Sequence, residues 1–257
     1  MQSPGPLVMG IVNVTPDSFF DGGRYADPDR AVARGMEMIA EGADIVDIGG
    51  ESSRPGAEPV PEAEELARVV EVVAALAPHV RVSIDTNKSR VAEAAIAAGA
   101  SIVNDVSASL EAVAGRAGVG WIAMHSRGTP KTMPGLTSYA DLVGEVRDHL
   151  RRAADRGRRA GVSELWVDPG IGFAKTAEQS WELVGRIAEL VGDGTPVLLG
   201  ASRKSFLAPV GAVPAERAEA SLAVAVWSML QGVSIVRVHD VGSTAAAAGL
   251  IRGLRHG

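Results

Sequence analysis

Eight polar residues recur at one kind of place along the chain, the point where an apolar, β-branched run stops: Asn13, Asp47, Asp85, Asn104, His125, Asp168, Lys204 and Arg237. Any one of them could cap a helix or satisfy a turn, and for Asp47 and Asp105 that reading weighs as much as a functional one. As a group they need another reason, because a structural barrel has no use for amides, carboxylates and cations at every strand end. Two runs carry the most chemistry. The apolar burst Pro196–Gly200 ends in Ala201-Ser202-Arg203-Lys204-Ser205, a small-residue turn with adjacent cations and a hydroxyl, and Ile235-Val236-Arg237-Val238-His239-Asp240 repeats the pattern. These read as two lips of one active site.

Strand alternation assigns directions, since residues two apart share a face. Ser83 and Asp85 point one way and Val82 and Ile84 the other, which aims Asp85 at the mouth; Arg237 and His239 likewise share a face. A guanidinium beside an imidazole, next to a helix opened by Gly242-Ser243-Thr244, makes a phosphate site. Asp85, Asn104 and Asp168 with Lys204 form a different set: acceptors, an amide that donates and accepts, and one cation. In an apolar mouth they suit a flat heterocycle with several N–H donors and a carbonyl, such as a guanine or pterin edge. The structural alternative is an Asp168–Lys204 ion pair, since buried carboxylates need a partner. Two polar loops, Thr15–Gly23 and Gly49–Ala57, combine double glycines with proline, and the first adds Phe19 and Phe20, as a closing lid would. Gly170-Ile171-Gly172-Phe173-Ala174-Lys175-Thr176 only mimics a phosphate loop, for it lacks the adjacent Gly-Lys, and the five histidines form no HExxH pair.

The elements that must position these groups follow from the alternation of β-branched runs with alanine-rich amphipathic stretches. Strands are expected near Val8–Val14, Ala43–Ile48, Arg81–Asp85, Ser101–Asp105, Trp121–Met124, Leu165–Asp168, Val197–Gly200 and Ile235–Val238. Helices are expected near Asp29–Ala40, Glu62–Leu76, Ser89–Ala98, Leu110–Ala117, Tyr139–Ala160, Ala177–Val191, Ala215–Leu230 and Ser243–Leu254. Eight such pairs in 257 residues predict an α/β fold, a (β/α)8 TIM barrel in a single domain over 1–257. Glycines close several helices, as in Glu41-Gly42 and Ala160-Gly161. The basic run Arg147–Arg159 carries an apolar stripe through Leu142, Val146, Leu150 and Ala153, which makes its arginines a solvated helix face. A net charge of −6 argues against nucleic-acid and anionic-membrane partners, and the absence of cysteine excludes disulfides and thiolate chemistry. With neither a basic leader nor an apolar run of spanning length, the expectation is a cytoplasmic protein.

Read in order, Met9–Phe19, Gly49–Gly56, Ser83-Ile84-Asp85-Thr86, Asn104-Asp105-Val106-Ser107, Met124-His125, Arg127–Met133, Asp168–Phe173, Ser202-Arg203-Lys204-Ser205 and Arg237–Val241 resemble the dihydropteroate synthases. The resemblance covers essentially the whole chain. It implies a homodimeric barrel that joins 4-aminobenzoate to the diphosphate ester of 6-hydroxymethyl-7,8-dihydropterin in folate synthesis, with sulfonamides as mimics of aminobenzoate. Diphosphate would leave first, and its loss would give a cationic pterin methylene. The family pattern implies that Asp85, Asn104, Asp168, Lys204 and Phe173 hold the pterin. Asn13, Arg237 and His239 would hold the diphosphate, with Mg2+ on Asn13 and Asp21. Phe19, Ser53, Arg54, Pro55, Phe173 and Ser205 would form the aminobenzoate pocket, and Asp85, Lys204, Arg237 and His239 would be catalytic.

The chain departs from that pattern at Ser126, where a methionine is common, at Phe20 and Ser53, and in the short segment Ser107–Gly120. A pterin-dependent methyltransferase shares the pterin site, but that reading leaves Arg237, His239 and the two loops without a use. A non-catalytic pterin-binding homologue would show broken diphosphate or loop motifs, and here they are intact.

Overall fold

Parallel strands buried on both faces need helices outside and a filled interior, and both conditions are met in the computed structural model, which describes residues 5–15, 28–54, 56–211 and 213–256. The strands are β1 (Leu7–Asn13), β2 (Ile45–Gly49), β3 (Arg81–Asp85), β4 (Ile102–Asp105), β5 (Gly120–Met124), β6 (Leu165–Asp168), β7 (Leu198–Leu199) and β8 (Ile235–Val238). All are parallel, in the order β6-β5-β4-β3-β2-β1-β8-β7, and a bridge between Val167 and Val197 closes the ring. The result is the eight-stranded barrel expected from the alternation.

Its interior is layered with period two. Met9, Ile45, Ile102, Ile122, Trp166, Leu198 and Ile235 form a separate apolar plug. Two residues further along the same strands stand Asp47, Asn104, Met124, Asp168 and Arg237. Pleating therefore sets above the apolar plug a ring that is polar at Asp47, Asn104, Asp168 and Arg237 and is completed by Ile11, Met124 and Gly200. The opposite faces, including Val46, Val82, Val103, Trp121, Val167 and Val236, pack under the helices in the main core.

The helices are α1 (Pro28–Ala40), α2 (Glu62–Leu76), α3 (Ser89–Ala97), α4 (Glu111–Ala117), α5 (Leu142–Ala160), α6 (Ala177–Gly185), α7 (Ile187–Val191), α8 (Ala218–Leu230) and α9 (Val241–His256). Several boundaries differ from the periodicity, each for a local reason. Helix α5 starts three residues later than expected because Asp141 caps it, accepting from Gly144 N–H at 3.1 Å. The stretch Ala177–Val191 breaks at Arg186 into α6 and α7, and a 3-10 segment, Pro214–Arg217, precedes α8. Strand β7 is shorter than Val197–Gly200, with Val197 paired only as an isolated bridge to Val167.

The largest correction concerns α9. It begins at Val241, so Ser243 and Thr244 lie inside its first turn rather than capping it, and Thr244 Oγ1 donates back to the Asp240 carbonyl at 2.8 Å. The residue before this helix is Asp240, whose carboxylate pairs with Arg203 at 2.5 Å and is not open to an anion.

Candidate active site

The polar ring is knit across the barrel by one guanidinium. Arg237, rising from β8, donates Nε to Asp47 Oδ2 and Nη2 to Asp85 Oδ2, both at 2.6 Å, and Asn104 Nδ2 donates to the same Asp47 oxygen at 3.0 Å. Asp47 is fully buried, and its Oδ1 and the Ser83 hydroxyl lack partners among the described residues. Asp47 is thus neither a cap nor a turn residue. It forms the floor that holds Arg237 and Asn104 in place. Asp105 takes the bland role instead: its carboxylate accepts from Ser107 and Ser109 N–H, Leu110 N–H at 2.6 Å and the Trp121 indole at 3.1 Å, which anchors the short loop after β4.

Electrostatics set these groups apart. Burial raises the Asp85 carboxyl to about 7; Arg237 pulls it down, while Asp47 and Glu65 push it further up. Burial also raises Asp168, against the pull of Lys204 and the Gly170 N–H, which it accepts at 2.7 Å. Desolvation opposes the charge on Arg237, but Asp47 and Asp85 outweigh it and its pKa is raised. Lys204 is lowered by burial to about 8.

Lys204 does not form the ion pair weighed as the structural alternative. Its ammonium donates to the Ile171 carbonyl at 2.5 Å and sits 4.6 Å from the centroid of the Phe173 ring, with Asp168 as a Coulombic neighbour. The preceding Arg203 takes a left-handed backbone (φ +58°), bonds Ser221 Oγ through its N–H at 2.9 Å and turns its side chain to Asp240. That reversal separates the two adjacent cations: one braces the outside, and the other faces the mouth.

His239 lies beside Arg237 as alternation requires, with Nδ1 3.0 Å from Ser202 Oγ. Burial, then Arg203 and Arg237, lowers its pKa to about 3, so it is a neutral imidazole at physiological pH. Asn13 ends β1, paired in register with Gly49. Ser53 and Arg54 stand on the loop after β2, and Ser205 is exposed at the start of a 3-10 segment, Ser205–Val210. Phe19, Asp21 and Pro55 lie outside the described residues, as do most of the first loop and Phe20.

His125 departs from its expected place. One residue past β5 it faces away from the mouth, edge-on to His149 of α5 with centroids 4.9 Å apart, and burial and Lys175 hold its pKa near 2. Ser126 lines the cavity outside the barrel between this histidine and α5. Lys175, passed over in the sequence with its false phosphate loop, is buried against His125. No sequence signal marks it except a lysine inside an otherwise apolar turn. The β2 loop is braced from below by Lys88, which pairs with Glu51 at 2.6 Å and with Glu65.

For Mg2+, the described donor is the side-chain oxygen of Asn13; no cluster of three acidic or histidine ligands exists among the described residues. A single oxygen donor fits a hard cation that is held largely by substrate phosphates and water. No helix among the described residues is long and apolar enough to cross a membrane.

Comparison with known proteins agrees with this geometry. Residues 9–239 match the family model described as pterin binding enzyme. The dihydropteroate synthase of Mycobacterium leprae is 45% identical, with 97% of this chain and 93% of that protein covered. A Yersinia pestis dihydropteroate synthase in a sulfonamide drug complex superposes with a TM-score of 0.92 at 38% identity, covering 100% of this chain and 97% of that one. The Burkholderia cenocepacia dihydropteroate synthase complexed with 7,8-dihydropteroate gives 0.85 at 44% identity, covering 98% and 92%. A barrel of eight parallel strands with acceptors and cations gathered over an apolar plug, matched along nearly its whole length by these enzymes, places the chain in the pterin-binding enzyme family, among its dihydropteroate synthases.

Proposed function

We propose that the mouth of this barrel condenses (7,8-dihydropterin-6-yl)methyl diphosphate with 4-aminobenzoate, giving 7,8-dihydropteroate and diphosphate, and that the residues above divide the work. The observation that carries this reading is the polar ring itself, in which Asp85 accepts from Arg237, Asn104 donates to Asp47 and Asp168 faces Lys204, one layer above the apolar plug. Asp168 and Asn104 read the N–H and carbonyl edge of the pterin. Lys204 covers its far side, kept in place by the Ile171 carbonyl and the Phe173 ring.

As the bond from the methylene carbon to the diphosphate oxygen breaks, its electron pair leaves with the diphosphate. The Arg237 guanidinium and the neutral His239 imidazole, donating through the ring nitrogen not engaged by Ser202, stabilise the departing oxygens. Ionised Asp85 faces the positive charge left on the pterin methylene. The aminobenzoate nitrogen then forms the new C–N bond and its proton passes to solvent. No strong general base is required, because an aromatic amine is already neutral at physiological pH. Ser53, Arg54, Ser205 and Phe173 flank the entry side, with Phe19 and Pro55 assigned there by family pattern alone. Asn13 with Asp21 would hold Mg2+, which supplies charge neutralisation for the diphosphate.

A homodimer is supported by exposed apolar residues on the outer helices, Trp227 and Leu230 on α8 and Leu250 and Leu254 on α9, and sedimentation of the purified protein tests it. A cytoplasmic location agrees with the composition. The direct test of function is diphosphate release with dihydropterin diphosphate and Mg2+, with and without 4-aminobenzoate, and the product identified by mass. Aminobenzoate-dependent release with dihydropteroate formed is expected; tight pterin binding without release would overturn the synthase reading.

A further inference from the structure

We infer that Lys175, on the outer side of the barrel wall, is a positioning residue for the two-substrate site, acting through the β6–α6 turn. The inference rests on the function proposed above. Between Asp168 and Lys175 the chain is wound tightly, with left-handed backbone at Gly170, Gly172 and Ala174 (φ +66°, +77° and +50°). Ala174 has a side chain and gains nothing from that conformation, so the turn must be held by its bonds. Gly170 has no alternative, since a Cβ there would lie 2.0 Å from the His125 carbonyl oxygen.

Lys175 supplies the hold. Its Nζ, 8% exposed with its residue, reaches the Gly170 and Phe173 carbonyls at 3.0 Å each and His125 Nδ1 at 2.9 Å. Tyr139 adds one bond, its hydroxyl donating to the Ala174 carbonyl at 3.0 Å. The inner side of the same turn carries the Asp168 carboxylate, the Ile171 carbonyl that fixes Lys204, and the Phe173 ring beneath that ammonium. One ammonium behind the wall thus ties the two carbonyls that bracket the segment in front of it. It touches no expected substrate atom.

All three acceptors are neutral, which is an unusual setting for a buried cation. Asp168 of β6 favours its charge from a distance, whereas Lys204 after β7 and Arg127 after β5 oppose it; His125 and His149 of α5 face it as neutral rings. Desolvation lowers its pKa to about 7. Below that pH the group has three N–H donors for its three acceptors, and above it one donor is lost.

The test compares Lys175→Met, which keeps the length and removes the donors, with Lys175→Gln, which keeps two donors without charge. Full-length protein is assayed for both substrates, with thermal melting alongside. Lys175→Met should raise the KM for both 4-aminobenzoate and dihydropterin diphosphate about tenfold, the size expected when buried carbonyls lose their donors, because Phe173, Asp168 and Lys204 are all carried by the turn. Lys175→Gln should recover most of that loss. Wild-type KM for aminobenzoate should rise above pH 7, and that rise should flatten in Lys175→Gln. Wild-type kinetics in folded Lys175→Met, or a Gln variant as impaired as the Met variant, would overturn the inference. If Lys175→Met does not fold, an unchanged pH profile in Lys175→Gln does so. Absence of turnover in the wild-type control would instead count against the proposed function.

Discussion

The two sides of one barrel rim handle buried charge in opposite ways. On the inner side, Arg237 meets two carboxylates, one of which also accepts from Asn104, and Lys204 faces Asp168, so cations and anions are matched but crowded. On the outer side, Lys175 is set among carbonyls and a neutral imidazole, with no carboxylate in contact among the described residues. The inner arrangement leaves acceptors strained toward protonation and ready to exchange partners with a ligand. The outer one leaves donors engaged with backbone, which fixes a turn. Ligand chemistry belongs where charges can be re-paired, and positioning belongs where they cannot.

Asp85→Asn would break the comparison most severely. It removes the charge facing the pterin methylene and should lower kcat/KM by roughly a hundredfold to a thousandfold, as loss of one preorganised electrostatic group does. The wild-type kcat/KM should fall on the acid side as Asp85 takes up a proton near pH 7, and that limb should vanish in Asp85→Asn. An identical acid limb in the variant would remove Asp85 from the mechanism. Arg237→Ala should come next, harming binding and departure of diphosphate while leaving Asp47 and Asp85 unpaired, and steady-state kinetics with a melting curve would separate the two effects. Lys204→Ala should weaken both substrates by about tenfold each, since it removes one cation-assisted contact; unchanged KM values would show that its contacts with Ile171 and Phe173 are structural only.

Smaller effects sharpen the outer half. Asp105→Ala should destabilise the fold by about 3 kcal/mol, because several buried donors lose one acceptor, with kinetics of the folded fraction unchanged. The histidines give a pH signature. His125, His149 and His239 have pKa values lowered to about 2, 4 and 3. Since these folded-state values lie below the unfolded value, the unfolded chain binds more protons, and stability should be lost as pH falls from about 6.5 toward 4. Melting temperatures at pH 7.5 and pH 5 would show the drop, and His149→Gln should reduce it modestly.

Much of this was legible in the residues. Strand and helix alternation is a local property of hydrophobic spacing, so the eight-fold repeat could be counted, and period-two alternation put Asp85 on the inner face and Arg237 beside His239. The motifs that carry the family resemblance are short and contiguous, which is why Asn104, Asp168 and Lys204 could be named with it. What the chain alone could not decide were facts of three-dimensional partnership. Asp47 and Asp105 look alike as strand-end aspartates, yet one meets Arg237 across 190 positions of sequence and the other meets its own following loop. His125 left the site because the strand had already turned its next residue outward, and the helix after β8 started earlier because Asp240 and Val241 could end the strand and open the helix without a serine cap. In the sequence Lys175 belongs to a failed motif, because nothing in its neighbours shows that a turn folds back over it. Spacing along a chain sets which faces residues occupy; only closure of the barrel sets which of them meet, because hydrogen bonds and desolvation depend on distances that the local pattern does not contain.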